Sequence, residues 1–403
     1  MSRLPRQLQP AWSLFKRAHL LATVVLGTVA RAVSPLFGAR GLPRRASLTS
    51  AATASVPAEQ AAIHVGDAGE VIDRPSAVGV PPHHPTFEAA RKARLPDRYV
   101  LDLVDGTVVD QYGAIITSRG TLDFETSFYF GADQWFEHPL FLKGRLPKPR
   151  LVEGTAVSLA TAAGERNYYH FLLEVMPRWA VVRQILPDVD IDAVYMPTAH
   201  QYERDLLAMA GIDPGAVIAT GDVPALQASR LLVPGYPNAG EMQPRWLAEW
   251  VRQTFKPVET DGKPNRLFVT RGSGPHTRRL VQGPAVEAML GDRGFVTIDP
   301  GSMSVQEQID HFAAADVIVG IHGAAMTNLV FARPGVRVLE LFAPRYVKHC
   351  FWALSQTIPD SRYRYLVGSG RPPRSGRPMQ GIQADVHVEP REVADALERL
   401  LAD

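Results

Sequence analysis

Two strings in this sequence hold side chains that can do chemistry at the spacing of a regular element. In Asn167-Tyr168-Tyr169-His170-Phe171-Leu172-Leu173-Glu174-Val175-Met176-Pro177-Arg178-Trp179, the polar residues Asn167, His170, Glu174 and Arg178 recur at i, i+3, i+7 and i+11. A helix puts them on one face. An imidazole beside a carboxylate is what general-base chemistry needs, because His titrates near neutral pH and the carboxylate can orient it or act itself. A solvated face held by i,i+4 pairs is the competing reading of the same stripe. Leu172, Met176 and Trp179 fall on the buried side. Pro177 lacks the amide hydrogen for the carbonyl four residues back, which predicts a kink near Leu173.

The second string is Val317-Ile318-Val319-Gly320-Ile321-His322-Gly323-Ala324-Ala325-Met326-Thr327-Asn328, an apolar strand running into small residues that open a helix. The first amides of a helix have no intrahelical acceptor and sit at the positive end of its dipole, so a diphosphate can accept from them. Gly320, Gly323, Ala324 and Ala325 would let the phosphate reach the backbone. His322 can donate to a phosphate or to a leaving oxygen, and Thr327 and Asn328 add donors. A plain turn with small residues for close packing is the alternative. The next strand, Val338-Leu339-Glu340-Leu341-Phe342, carries Glu340 toward its C-terminal end, where ligands of open α/β sheets bind and where a carboxylate can accept from two ribose hydroxyls. A capping or salt-bridged glutamate is the other reading. Arg271 ends the strand 266–270 on the same edge, with a forked guanidinium suited to phosphate oxygens.

The elements that must position these residues follow from periodicity. After residue 147, strands at 156–159, 193–196, 217–219 and 231–233 alternate with helices at 167–185 and 202–210. The second half repeats the pattern, with strands at 266–270, 295–298, 316–320 and 336–342 and helices at 283–290 and 322–331. Ser304-Val305-Gln306-Glu307 is a capping box that opens another helix, whose apolar stripe is Val305, Ile309, Phe312 and Ala313. A closing helix presents Val393, Leu397, Leu400 and Leu401, with Pro390 at its start. Alternating strands and helices predict parallel sheets in an α/β fold of two doubly wound domains. Short β-like runs over 99–141 extend the first of them. A helix over 245–255, followed by a Pro- and Gly-bearing segment, sets the boundary near residue 260. The expected organisation is a basic arm and disordered linker over 1–90, a domain over 91–260 and a second over 261–403.

Composition narrows the partners. A formal net charge of +2 over 403 residues gives no reason to expect nucleic acid. Cys350 is the only cysteine, which excludes an internal disulfide and a Cys-based zinc site, and fits a cytoplasmic location. The first 58 residues contain eight Lys/Arg and no Asp or Glu. One reading is a basic arm that touches anionic lipid peripherally through Trp12, Phe15 and its cations; the other is a signal peptide within residues 1–32. The apolar run from Leu20 to Ala30 is shorter than a membrane crossing needs. The Asp-x-Asp strings between Asp188 and Asp192 fall in an αβ loop, on the wrong edge of a parallel sheet for a substrate metal. Residues 41–85, which include His83-His84, read as an Ala-, Pro- and Ser-rich linker without a metal.

The strings Asn167–Arg178, Arg266–Arg271 and Asp316–Leu341 together resemble glycosyltransferase family 61, which includes O-linked N-acetylglucosaminyltransferases, xylan-modifying enzymes and bacterial polysaccharide enzymes. The resemblance spans about 156–342, with Ala325-Met326 where members commonly have Gly-Leu. It implies two Rossmann-like domains facing a cleft, of GT-B type, and an inverting, metal-independent hexosyl- or pentosyltransferase. The substrates would be a nucleotide-sugar donor, of the UDP kind, and a glycan or polysaccharide acceptor, with neither metal nor cofactor. On this expectation His170 and Glu174 are catalytic. Asn167, Arg178, Arg271, Gly320, His322, Gly323, Ala324, Ala325, Thr327, Asn328 and Glu340 bind the donor. A polysaccharide pyruvyl-type transferase and a non-catalytic nucleotide-sugar-binding protein are the alternatives.

Overall fold

The computed structural model describes residues 12–165, 167–272, 278–370 and 384–403, and the fold is mixed α/β. The chain divides into two compact units. Among the described residues, the first draws on 12–70 and Pro96–Pro237, the second on Val71–Leu95 and on those from Asn238 onward.

The first unit is built on a ten-stranded sheet. Its parallel centre runs Val217–Ala219, Ala193–Met196, Arg150–Ser158, Ala225–Pro234, which in chain order is 3-2-1-4. Every residue of Ala193–Met196 is buried, as a strand covered on both faces requires. The direction of winding reverses between Arg150–Ser158 and Ala225–Pro234, so their C-terminal ends form a topological switch point, where open α/β sheets bind ligands. Tyr99–Val104 and Thr107–Val109 add antiparallel to Ala225–Pro234, and the sheet continues through Ala114–Ile116 and Thr121–Asp123 to Arg45–Ser47.

The segment expected as a disordered linker is therefore structured. Arg45–Ser47 and Ala61–Val65 are strands of the large sheet, and Val78–Val80 joins the sheet of the other unit. Buried carboxylates hold the first of these pieces. Glu59 accepts from Thr117 Oγ1 at 2.5 Å and Thr121 Oγ1 at 2.7 Å, and Asp123 accepts from Ser50 Oγ at 3.0 Å and Thr126 Oγ1 at 2.6 Å. Polar anchoring of this kind leaves no apolar periodicity to read. His84 has a structural duty: its ring accepts from Thr86 N at 3.3 Å and caps the short helix Pro85–Ala89.

The N-terminal region also departs from expectation. Residues 1–11 of the anticipated arm lie outside the described residues, and a helix runs over Trp12–Val33. The 24-residue span Arg17–Arg40 is long and apolar enough to cross a membrane by length and composition, which corrects the reading of the run as too short. The shorter estimate stopped at Arg31, but that cation lies over the rings of Phe141 at 4.9 Å and Trp135 at 5.0 Å without interrupting the helix.

The second unit holds a six-stranded, wholly parallel sheet in the order Val296–Ile298, Arg266–Val269, Val317–Ile321, Arg337–Phe342, Arg362–Val367, Val78–Val80. The first five strands run 2-1-3-4-5 in chain order, so winding reverses between Arg266–Val269 and Val317–Ile321. Arg271 and His322 follow those two strands. The capping box forms, with Ser304 and Glu307 each serving the other's backbone, and Val305, Ile309 and Phe312 are buried behind it. Val393, Leu397 and Leu400 of Pro390–Ala402 are buried as well. Phe87 pins the detached piece to the sheet, stacked on Tyr365 at 4.5 Å and edge-on to Trp352 at 5.8 Å. The helix Arg245–Thr254 belongs to this unit, ahead of the expected boundary, because Arg252 donates to the carbonyls of Val330 at 3.3 Å and Thr357 at 3.2 Å.

Candidate functional site

In the second unit the fully buried strand Val317–Ile321 delivers His322 to the switch point. Behind it the chain makes a 3-10 helix, Ala324–Phe331, in place of the expected α-helix. His322 Nδ1 lies 2.5 Å from Glu340 Oε1, and the other carboxylate oxygen accepts from the Tyr363 hydroxyl at 2.5 Å. The pairing follows from register, since Glu340 lies directly opposite Gly320, two residues before the histidine. The imidazole stacks on Phe342 at 4.9 Å and is flanked by Tyr346 at 5.4 Å and Phe351 at 5.3 Å.

Burial in this aromatic setting pushes the Glu340 carboxyl up to about 8, even with Tyr363 and Arg278 favouring the ionised form. Burial, then the Arg278 and Arg271 cations, hold His322 well below its usual range. At neutral pH the pair therefore keeps its proton on the carboxyl side. The Glu340 O–H donates to Nδ1, which leaves the hydrogen of the neutral ring on Nε2. Nε2 makes no hydrogen bond to the described residues, so it is the atom with chemistry to offer.

Arg271 Nη1 and Arg278 Nη2 both donate to the His322 carbonyl, at 2.9 and 2.7 Å. Arg278 is buried and lies over the Tyr346 ring at 4.5 Å. Lys348, paired with Glu241 at 2.7 Å, adds to the positive potential felt by His322. Two guanidinium groups on one oxygen, at a switch point, make a natural place for an anion.

The residues expected to bind a phosphate through backbone amides have other duties. A Cβ on Gly323 would overlap the Arg271 guanidinium, so the glycine is needed for the arginine to lie across the turn. Gly320 leaves room for the Met326 sulfur. Ala324 and Ala325 are half-buried, and Thr327 is fully buried with Oγ1 unpartnered among the described residues. Asn328 is not aimed at a ligand: its side-chain amide donates to Gln308 Oε1 at 2.8 Å and Ala325 O at 3.1 Å. Glu340, fully buried with both oxygens engaged, holds His322 rather than meeting a ribose.

In the first unit Asn167 caps its helix, accepting from Tyr169 N at 2.9 Å. The expected kink takes the form of a π-helical turn over Phe171–Val175, between Tyr168–His170 and Met176–Ile185. The Met176 amide donates to the Phe171 carbonyl, five residues back, and a turn of this width accommodates a proline that cannot donate. His170 and Glu174 do meet, Nδ1 to Oε1 at 2.7 Å, with Phe130 edge-on to the imidazole at 5.5 Å. Arg178 is engaged elsewhere. It is fully buried, and it donates through Nε to Pro234 O at 3.0 Å and through Nη1 to Ala160 O at 2.6 Å. It ties the last residue of Ala225–Pro234 to the chain just beyond Arg150–Ser158 and is not available to a donor phosphate.

The Asp-x-Asp strings lie in the loop before Ala193–Met196, where Asp192 accepts from Thr155 N at 2.8 Å. Among the described residues no group of three His, Cys, Asp or Glu side chains is placed to hold a metal ion. A cavity of about 450 Å³ lined by Trp179, Arg183, Asp190 and Asp213 opens on this N-terminal edge, opposite the switch point. Sequence reasoning missed Arg278, Tyr363 and Tyr346. The alternation in Arg362-Tyr363-Arg364-Tyr365, the pattern of a strand with one aromatic face, was a signal for the second.

A family model described as Glycosyltransferase 61 matches residues 168–339, a stretch that contains His170, Glu174, Arg271, Arg278 and His322. No curated protein matches the chain.

Proposed function

We propose, on the premise that this chain belongs to glycosyltransferase family 61 and therefore transfers a sugar, that its donor is a UDP-sugar whose diphosphate is held by Arg271 and Arg278. The two-domain GT-B organisation is part of this reading, each unit contributing one cluster. The acceptor is a glycan or polysaccharide hydroxyl. His170, oriented by Glu174, takes the proton of that hydroxyl while its oxygen attacks the anomeric carbon from the face opposite the diphosphate. The bond to the diphosphate breaks, its electron pair goes to the phosphate oxygen, and the sugar is inverted. His322 Nε2–H donates to that oxygen, and a shift of the Glu340 proton toward Nδ1 compensates the donation. Two guanidinium groups and a neutral donor supply the charge stabilisation for which other sites use a metal.

The observation that carries this reading is His322, backed by Glu340 and set beside the Arg271–Arg278 pair at the switch point. The test measures UDP binding by calorimetry and sugar release from UDP-sugars for the wild type, His322→Asn, His170→Ala and Glu174→Gln. We expect His322→Asn and His170→Ala to lose about 100-fold or more in turnover, the usual scale of acid–base catalysis, with UDP binding retained. Full turnover in His322→Asn, or a wild type that binds no nucleoside diphosphate, would sink the proposal.

A further inference from the structure

The helix Trp12–Val33 and the turn Ser34–Arg40 that follows it present an apolar surface that the described residues leave open. One side of the helix is packed. Thr23 and Gly27 are buried, and a Cβ on Gly27 would come within 2.8 Å of the Phe141 Cβ. The opposite side shows Leu21, Val25, Leu26 and Val29 at 65, 54, 57 and 59% exposure, and Leu36 continues it at 82%. Positions 21, 25 and 29 repeat at i+4, so these side chains form one stripe along the helix. A stripe of this size on a surface marks an interaction site.

Two observations select the occupant. The stripe is aliphatic, whereas protein–protein contacts favour Tyr, Trp and Met. The first 58 residues hold eight Lys/Arg, with Arg17 and Arg44 exposed, and no Asp or Glu, which complements anionic headgroups. The packed side fixes the orientation. A helix passing through the bilayer would have to leave Phe141 and Trp135 and carry Arg31 into hydrocarbon, whereas a helix lying in the interface keeps those contacts.

We propose that this face docks the chain on an anionic lipid bilayer, with Trp12–Val33 lying in the membrane plane, its aliphatic stripe at the acyl boundary and the exposed Arg17 and Arg44 among the headgroups. The inference concerns where the chain works and is independent of the donor reading, because its readout is lipid binding. The experiment floats the full chain with vesicles of phosphatidylcholine, alone or mixed with phosphatidylglycerol. The wild type is expected to float with the mixed vesicles and to be stripped from them by alkaline carbonate. The double substitution Val25→Glu/Val29→Glu, at exposed positions and checked for an unchanged melting curve, is expected to lower partitioning about tenfold or more, while Val25→Leu/Val29→Leu keeps it. The proposal is overturned by a wild type that fails to float, a glutamate variant that floats as well as the wild type, a chain that resists carbonate as a spanning helix does, or a membrane-bound chain recovered without residues 1–32.

Discussion

Replacing Glu340 with glutamine should change how stability depends on pH, and the size of the effect follows from the burial of the carboxyl. Its folded-state pKa is raised from the usual 4.5 to about 8. Between those values the unfolded chain has given up this proton while the folded chain still holds it, so stability falls as pH rises through that window. At about 1.4 kcal/mol for each tenfold change in proton affinity, the full effect is about 5 kcal/mol, of which about 1 has already gone by pH 5. His322 works in the opposite sense. Its folded-state pKa is depressed, so the stability it contributes is present above 6.5 and lost as pH falls. It is common to both proteins and largely cancels in a comparison. Glu340→Gln keeps the shape and removes the titration. The variant should therefore gain about 4 kcal/mol relative to the wild type between pH 5 and pH 9. Urea unfolding followed by tryptophan emission reads this directly, since Trp352 is buried in the same unit. Wild-type and variant stabilities that stay parallel within about 1 kcal/mol across the range would refute the assignment of a protonated, buried Glu340.

Two further substitutions separate binding from architecture. Gly323→Ala should displace the Arg271 guanidinium from the His322 carbonyl and weaken UDP binding by about 1.5–3 kcal/mol, the worth of a charged hydrogen bond. Calorimetry that finds unchanged affinity would remove Arg271 from the donor site. Arg178→Met should orphan the Ala160 and Pro234 carbonyls and cost about 2–6 kcal/mol of stability, at about 1–3 kcal/mol each. The protein that stays folded should bind UDP normally, and a selective loss of UDP affinity would restore the phosphate-binding role read from the sequence.

The alternation of the second unit was legible because wholly parallel strands, buried on both faces, are continuous apolar runs such as Val317–Ile321. Arg271, His322 and Glu340 could be picked out for the same reason, each standing near the end of a strand. Their mutual contacts could not, because the link between Glu340 and His322 depends on which strands lie side by side and in what register. Arg178 was misread because helical spacing shows which residues lie along one side of a helix but not what covers that side, and the Ala160 and Pro234 carbonyls take up its guanidinium. His170 and Glu174, one turn apart, are neighbours as the spacing implies. Val78–Val80 was out of reach: three residues, two of them valine, pair with a strand almost at the other end of the chain.

That last pairing constrains the order of assembly. Val80 sits in register with Leu366, so during synthesis it waits for roughly 15–60 s at ordinary elongation rates. Through that interval Phe87 lacks the aromatic cluster of Tyr365, Phe342 and Trp352 that later encloses it. A fragment cut to begin at residue 261 would repeat the situation permanently, with the flank of Arg362–Val367 unpaired and a vacancy where Phe87 belongs. The C-terminal half is thus not a module that can be lifted out by trimming one end; its first piece is translated before most of its companion unit has been made.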